Sequence, residues 1–118
     1  MEINEQQKGN VLILNVDGRL DHNGAGQFET LALQRINDGH RGIIIDFENT
    51  GFMASMGIRA LIPPSQEMSR KGGRMAIVGL NDSLKQVFAI AGLDKVFSVY
   101  ENVDSALADG QWPASTVS

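Results

Sequence analysis

The stretch Gly51 to Ile62 reads GFMASMGIRALI, and Ser55 is its only hydroxyl. Three chemistries suit a lone serine between an apolar run and a helical pattern. As a helix N-cap, its oxygen would accept a free backbone N–H and contribute about 0.5–2 kcal/mol. As a nucleophile, it would need a sharp strand-to-helix elbow and a base. Met53-Ala54-Ser55-Met56-Gly57 is half of the G-x-S-x-G elbow, with Met53 in place of the first glycine. The preceding apolar strand reads as ending at Phe47, and His40 comes before that strand, at its opposite edge. Only His22 is left as a base, so a small serine hydrolase is the weakest reading. As a phosphoryl acceptor, Ser55 would present a phosphate to the N–H groups of Met56, Gly57 and Ile58 at the positive end of a helix. The phosphate would add about −1.5 to −2 charge to a contact patch and require no catalytic residue in this chain. Gly57 would let another surface approach closely. Met53 and Met56 suit a core or an adaptable contact surface equally well.

Other residues offer less. Two histidines and scattered carboxylates show no metal-ligand spacing, and the absence of cysteine excludes thiolate sites and disulfides. No Walker sequence occurs, and Gly24-Ala25-Gly26 is a weak echo of a dinucleotide fingerprint, better read as a flexible helix start. No cofactor or metal is expected. The net charge of −4, with no basic cluster beyond Arg70-Lys71, disfavours nucleic acid as a partner. No run approaches the ~18 apolar residues of a membrane span, so no membrane insertion is expected. The opening MEINEQQKGN lacks a signal pattern, and a cytoplasmic location is the expectation.

The elements that must position Ser55 follow from the apolar patterning. At 118 residues the chain is expected to form one domain over 1–110, with a flexible tail over 111–118. Glu2 to Gln7 suits a short edge strand. Gly9-Asn10 is a turn signal, and Val11 to Val16 is a buried strand closed by a turn at Asp17-Gly18. Phe28, Leu31, Ala32 and Ile36 share one helical face, ending near Asp38-Gly39. Ile43 to Ile45 reads as a central strand covered on both faces. Ile58, Leu61, Ile62 and Met68 are again helical, but Pro63-Pro64 requires a bend or break near Ile62 to Pro64. Arg74 to Gly79 is a strand. Asn81 or Asp82 caps a helix with Leu84, Val87, Phe88 and Ala91 inward. Gly92-Leu93 is a glycine stop, Val96 to Tyr100 a short strand, and Val103, Ala106 and Leu107 line a last helix.

The order ββαβαβαβα predicts an α/β fold. Its sheet should be mixed but mostly parallel, of four to five strands packed with helices and opening on an antiparallel hairpin. Functional loops of such folds lie at the carboxyl ends of the strands. The Ser55 loop and the loop over Asp21, His22 and Asn23 should therefore share one edge.

These residues resemble the STAS domain in its anti-sigma-factor-antagonist form, from about Asn10 to Ala108. The signature segment reads DFENTGFMASMGIRALI: Asp46-Phe47 matches the acidic strand end, Phe52-Met53 the apolar pair, and Gly57-Ile58-Arg59 the G-L-R. GRLD, Gly18 to Asp21, matches the first loop, and LNDSLKQVFAIAGLDKVFSVYENVDSAL matches the last third. Ala54 replaces the family's Asp or Ser, and Met56 its Ser or Ala. The resemblance implies phosphorylation at Ser55. It implies a monomeric, non-enzymatic partner-switching regulator. Unphosphorylated, the protein would bind an anti-sigma factor with a GHKL-type serine kinase fold through Asp21, His22, Asn23, Met53, Ala54, Met56, Gly57, Ile58 and Arg59. A serine/threonine phosphatase would reset it. The alternative is a non-switching STAS subunit of a transporter ATPase or other complex.

Overall fold

The computed structural model describes residues 1–110 and 112–116. Strand β1 (Glu2–Lys8) forms an antiparallel hairpin with β2 (Val11–Leu20) across the Gly9-Asn10 turn. Helix α1 (His22–Asn37) leads to β3 (Gly42–Asp46), followed by β4 (Thr50–Met53), α2 (Ser55–Arg59) and α3 (Ile62–Arg70). Strand β5 (Arg74–Val78), α4 (Asp82–Ile90), a 3-10 turn at Leu93–Lys95, β6 (Ser98–Tyr100) and α5 (Val103–Ala108) complete the chain. The sheet runs β1-β2-β3-β5-β6 with every pair after the hairpin parallel, and β4 joins at β2. It thus has six strands, one more than the upper bound expected from the sequence.

The added strand changes how Ser55 is placed. Strand β2 is ten residues long and has two successive parallel neighbours. Leu12 to Asn15 pair with Ile43 to Asp46 of β3, and Gly18 to Leu20 pair with Thr50 to Met53 of β4. The register shifts between Gly18 and Arg19, where Gly18 adopts φ +118. Asp17-Gly18 is therefore an irregularity inside one strand rather than the turn that ends it. Between β3 and β4, Asp46 Oδ1 accepts the Glu48 N–H at 2.9 Å, and Thr50 Oγ1 donates to the Val16 carbonyl at 2.5 Å. These two bonds turn the chain and return it to the end of β2.

The main core lies between one sheet face and the helices. Phe28, Ala32 and Ile36 of α1 are fully buried, as their spacing predicts, and so are Leu14, Ile43, Ile45 and Phe47 beneath them. Each of these side chains except that of Ala32 contributes about 1.5–3 kcal/mol of hydrophobic stabilisation. In α4, Leu84 and Phe88 point into this core and Val87 is half-buried, while Ala91, expected inward, is the exposed C-cap just past the helix. The opposite face is smaller: Val11, Ile13, Ile44, Ala76 and Val78 pack against Ala106 of α5 and Trp112.

The proline pair acts as anticipated. Helix α2 ends at Arg59 and α3 begins at Ile62, with the prolines in its first turn, where a missing N–H costs nothing. Of the segment expected to be a flexible tail, Gln111, Val117 and Ser118 lie outside the described residues. Over the described part, Trp112 donates to the Ala106 carbonyl at 3.1 Å, and the Thr116 N–H to the Gly39 carbonyl at 2.9 Å.

Candidate functional site

Two element starts meet at the carboxyl edge of the sheet. Leu20 and Met53 are register partners at the ends of β2 and β4, so Asp21 and Ala54 leave the sheet at one level. The Ala54 N–H donates to the Leu20 carbonyl at 3.0 Å and fixes the second exit to the first. Beyond it, His22 Nδ1 lies 2.9 Å from Met56 Sδ, across 34 positions of sequence. The juxtaposition of the Ser55 and Asp21 segments anticipated from topology is thus present. The second segment differs in form: it is the first turn of α1 rather than a loop.

Asp21 caps that turn. Its Oδ1 accepts the Gly24 N–H at 3.0 Å from an extended backbone, φ −93 and ψ −165. This bond, ahead of opposing desolvation, holds the Asp21 carboxyl below its ordinary range. His22 and Asn23 are exposed at the first positions of the helix.

Ser55 is not the cap of α2. Ala54 occupies that position, at φ −77 and ψ 164, and cannot supply a side-chain bond. Ser55 is the first helical residue, one place later than its sequence reading as a cap. Its side chain is exposed, and no described residue is hydrogen-bonded to its hydroxyl. The register of free donors shifts with it. The Ile58 N–H is taken by the Ala54 carbonyl at 3.0 Å, so the first-turn groups without an intrahelical acceptor are those of Ser55, Met56 and Gly57.

The flanking residues divide sharply. Met53 is 6% exposed and belongs to the core, whereas Met56 is 46% exposed. Gly57 is buried, and a Cβ there would overlap the Leu20 carbonyl oxygen and sit 2.8 Å from Leu20 Cγ. The close approach that Gly57 permits is therefore internal, between α2 and the end of β2, and not to an outside surface. Ile58 is half-buried; Arg59 is exposed and has no ion-pair partner among the described residues.

Residues that the sequence did not assign to the site complete the surface. Val87, Ile90 and Ala91 of α4 line a shallow groove of ≈ 380 Å³ with Ser55, Ile58 and Arg59. Ile90, 87% exposed, lies outside the inward face of α4, and that departure was its one signal in the sequence. Beside β4, the Arg19 guanidinium stacks on the exposed Phe52 ring at 4.4 Å. His40 lies at the far edge, before β3, as expected. Among the described residues Ser55 has no hydrogen bond to a base, and the nearby imidazole atom lies against the Met56 sulfur. No group of three or more histidine, cysteine or acidic side chains that could hold a metal occurs among the described residues.

An exposed hydroxyl at a helix start, set beside a partly apolar groove at the edge of a mixed sheet, defines a small α/β domain built to present a surface. The STAS domain family matches residues 2–106, and the chain belongs to that family. It is 28% identical over 112 residues to the anti-sigma F factor antagonist of Paenibacillus polymyxa, covering 92% of this chain and 94% of the relative. Among solved structures it is similar to an anti-sigma factor antagonist from Mycobacterium paratuberculosis, with a TM-score of 0.82, 23% identity, and 90% of each chain covered. It is also similar to the Bacillus cell fate determinant SpoIIAA in its phosphorylated form, with a TM-score of 0.71 and 21% identity, covering 90% of this chain and 96% of that one. Among the described residues no helix is long and apolar enough to cross a membrane.

Proposed function

We propose that this chain is an anti-sigma-factor antagonist that acts by partner switching, with Ser55 as its phosphoacceptor. The observation that carries the reading is the placement of Ser55: exposed, bonded to no described residue, first in α2, and on the rim of the groove formed with α4. A kinase can reach such a hydroxyl without unfolding anything. The names of the relatives, one of them solved in a phosphorylated form, support the same reading.

The mechanism follows from charge and contact. Unmodified, the surface offers Met56, Ile58 and Ile90 as apolar contacts, and with them Arg59, which has no ion-pair partner among the described residues. An ATP-binding anti-sigma factor of the GHKL-type kinase fold docks there, giving up its sigma factor. It transfers the γ-phosphoryl group to Ser55 Oγ. Two negative charges in a largely apolar contact must then be desolvated, and the complex dissociates. In the free phosphoprotein, the first-turn N–H groups and Arg59, one turn further along the same helix, accommodate the phosphate. A serine/threonine phosphatase returns the protein to its binding form. The ATP belongs to the partner, this chain is not an enzyme, and the cycle takes place in the cytoplasm.

The test is phosphate transfer. The protein is incubated with ATP and each ATP-binding anti-sigma factor of its source organism, and the products are mapped by peptide mass spectrometry. One phosphate on Ser55, absent in Ser55→Ala, is the expected result. Transfer to another residue, or none from any candidate, would overturn the assignment.

A further inference from the structure

Met56 is the residue that the proposed switch leaves unexplained. A methionine in a contact surface gives adaptable packing, and here its sulfur also meets an imidazole. Met56 is 46% exposed, and its Sδ lies 2.9 Å from His22 Nδ1, a side chain of the opposite element start. The other four methionines are all less exposed than Met56. Met53 and Met68 are 6% and 1% exposed, and Met75 packs half-buried against the core. The Met1 side chain lies over Gly24, so closely that a Cβ on that glycine would be 2.8 Å from its sulfur. The chain has no cysteine, so no thiolate competes for an oxidant.

We propose that Met56 is a reversible oxidation site, and that its sulfoxide disables the surface around Ser55. The oxidant is a two-electron peroxide. The Met56 sulfur lone pair attacks one peroxide oxygen, an S–O bond forms, the O–O bond breaks, and the second oxygen leaves as water after proton transfer. Sulfur loses two electrons and the peroxide gains them. A dithiol reductase reverses the step, releasing the oxygen as water and becoming a disulfide.

The geometry gives the product a defined consequence. A sulfoxide oxygen only accepts hydrogen bonds, so the neighbouring His22 Nδ1 becomes its donor. The flexible apolar side chain becomes polar and tied to α1. It can no longer repack against a partner, and burying it in a contact incurs the cost of desolvating a strong dipole. The residue before it is Ser55, so oxidation and phosphorylation would act on the same contact, one answering to peroxide and the other to a kinase. The loss of partner binding rests on the partner-switching reading; selective oxidation does not.

The experiment has two arms. In the first, the whole protein is treated with hydrogen peroxide below stoichiometry and its methionines are mapped by peptide mass spectrometry. Met56 should gain one oxygen before any other methionine, and the ring resonances of His22 should move with it. Oxidation of Met1 or Met75 at an equal rate would overturn the proposal, as would unmoved His22 resonances. In the second arm, unmodified, Met56-oxidised and reductase-treated proteins are titrated against the ATP-binding anti-sigma factor. Oxidised protein should bind about tenfold more weakly or worse, and reductase treatment should restore the affinity. In Met56→Leu, whatever its own affinity, peroxide should no longer change it. Equal binding of oxidised and unmodified protein would overturn the switching half. Failure of the unmodified protein to bind would instead overturn the functional reading and, with it, that half, while leaving the result of the first arm intact.

Discussion

At the scale of single residues, the site separates what carries the signal from what holds it in place. In the proposed switch Ser55 carries it, and it contributes little to the fold, because its hydroxyl bonds to no described residue and Ala54 is the cap. Ser55→Ala should change unfolding free energy by no more than about 0.5 kcal/mol, as a surface substitution does. A loss above 1 kcal/mol in denaturant titration would mean that the side chain has a structural partner. Gly57 is the reverse case. Any Cβ there meets the backbone oxygen of Leu20, which sits in a strand and cannot yield freely. Gly57→Ala should cost about 1–3 kcal/mol, measured the same way, and should shift α2 away from β2. An unchanged stability would show that α2 is free to move. The sequence reading placed both residues in the right neighbourhood and misjudged their roles by one step. A cap and a first helical residue look alike in sequence, since both precede an apolar pattern. Whether a glycine serves an internal or an external contact depends on what lies opposite it, here a strand end 37 residues earlier.

At the scale of elements, helix starts set the geometry, and that of α1 depends on a charge. Asp21 Oδ1 holds the Gly24 N–H, and that bond depresses its folded-state proton affinity below the ordinary value of 3.8. The unfolded chain therefore takes up this proton first as pH falls. The contribution of the cap is complete above about pH 4 and is lost as pH falls through the lower folded value. Asp21→Asn keeps an acceptor without the titration. Its thermal midpoint should fall less steeply in acid than that of the unaltered protein, with the two curves parallel near neutrality. Identical acid limbs would remove the carboxylate from the account. Most elements were legible because their apolar periods are long: Phe28 to Ile36 for α1, Ile43 to Ile45 for β3, and the proline pair for the break between α2 and α3. Strand β4 was not. It has four residues, TGFM, of which only Thr50 and Met53 are buried, so neither period-two alternation nor a continuous apolar run marks it. It exists because β2 outruns β3 and leaves a length of backbone for a second parallel partner. The first turn of α1 was read only in part, Gly24-Ala25-Gly26 as a flexible helix start but His22 and Asn23 as loop, for a related reason. The residues Asn23-Gly24-Ala25-Gly26 have the composition of a loop, and the Asp21 cap with the covering Met1 side chain overrides it.

At the scale of the whole molecule, the proposed switch uses one edge of the sheet, and the rest serves stability. The sheet brings α1, α2 and α4 to that edge, so that Met56, Ile58, Arg59 and Ile90 surround Ser55. The opposite face is closed by α5 and by Trp112, whose ring lies under the Arg74 guanidinium at 4.3 Å. The order of the apolar segments conveyed the class of the fold, and the absence of cysteine excluded thiolate chemistry. Neither conveyed Ile90 as part of the surface, because the groove is made by two helices joined only through tertiary packing. The central claim is that charge on Ser55 decides whether that surface is occupied, without changing the fold beneath it. Titration calorimetry of unmodified and stoichiometrically Ser55-phosphorylated protein, each against the cognate ATP-binding anti-sigma factor, tests it most directly. The account predicts binding by the unmodified form and an affinity lower by at least about a hundredfold, or roughly 2.7 kcal/mol, for the phosphorylated one. Equal affinities would contradict it.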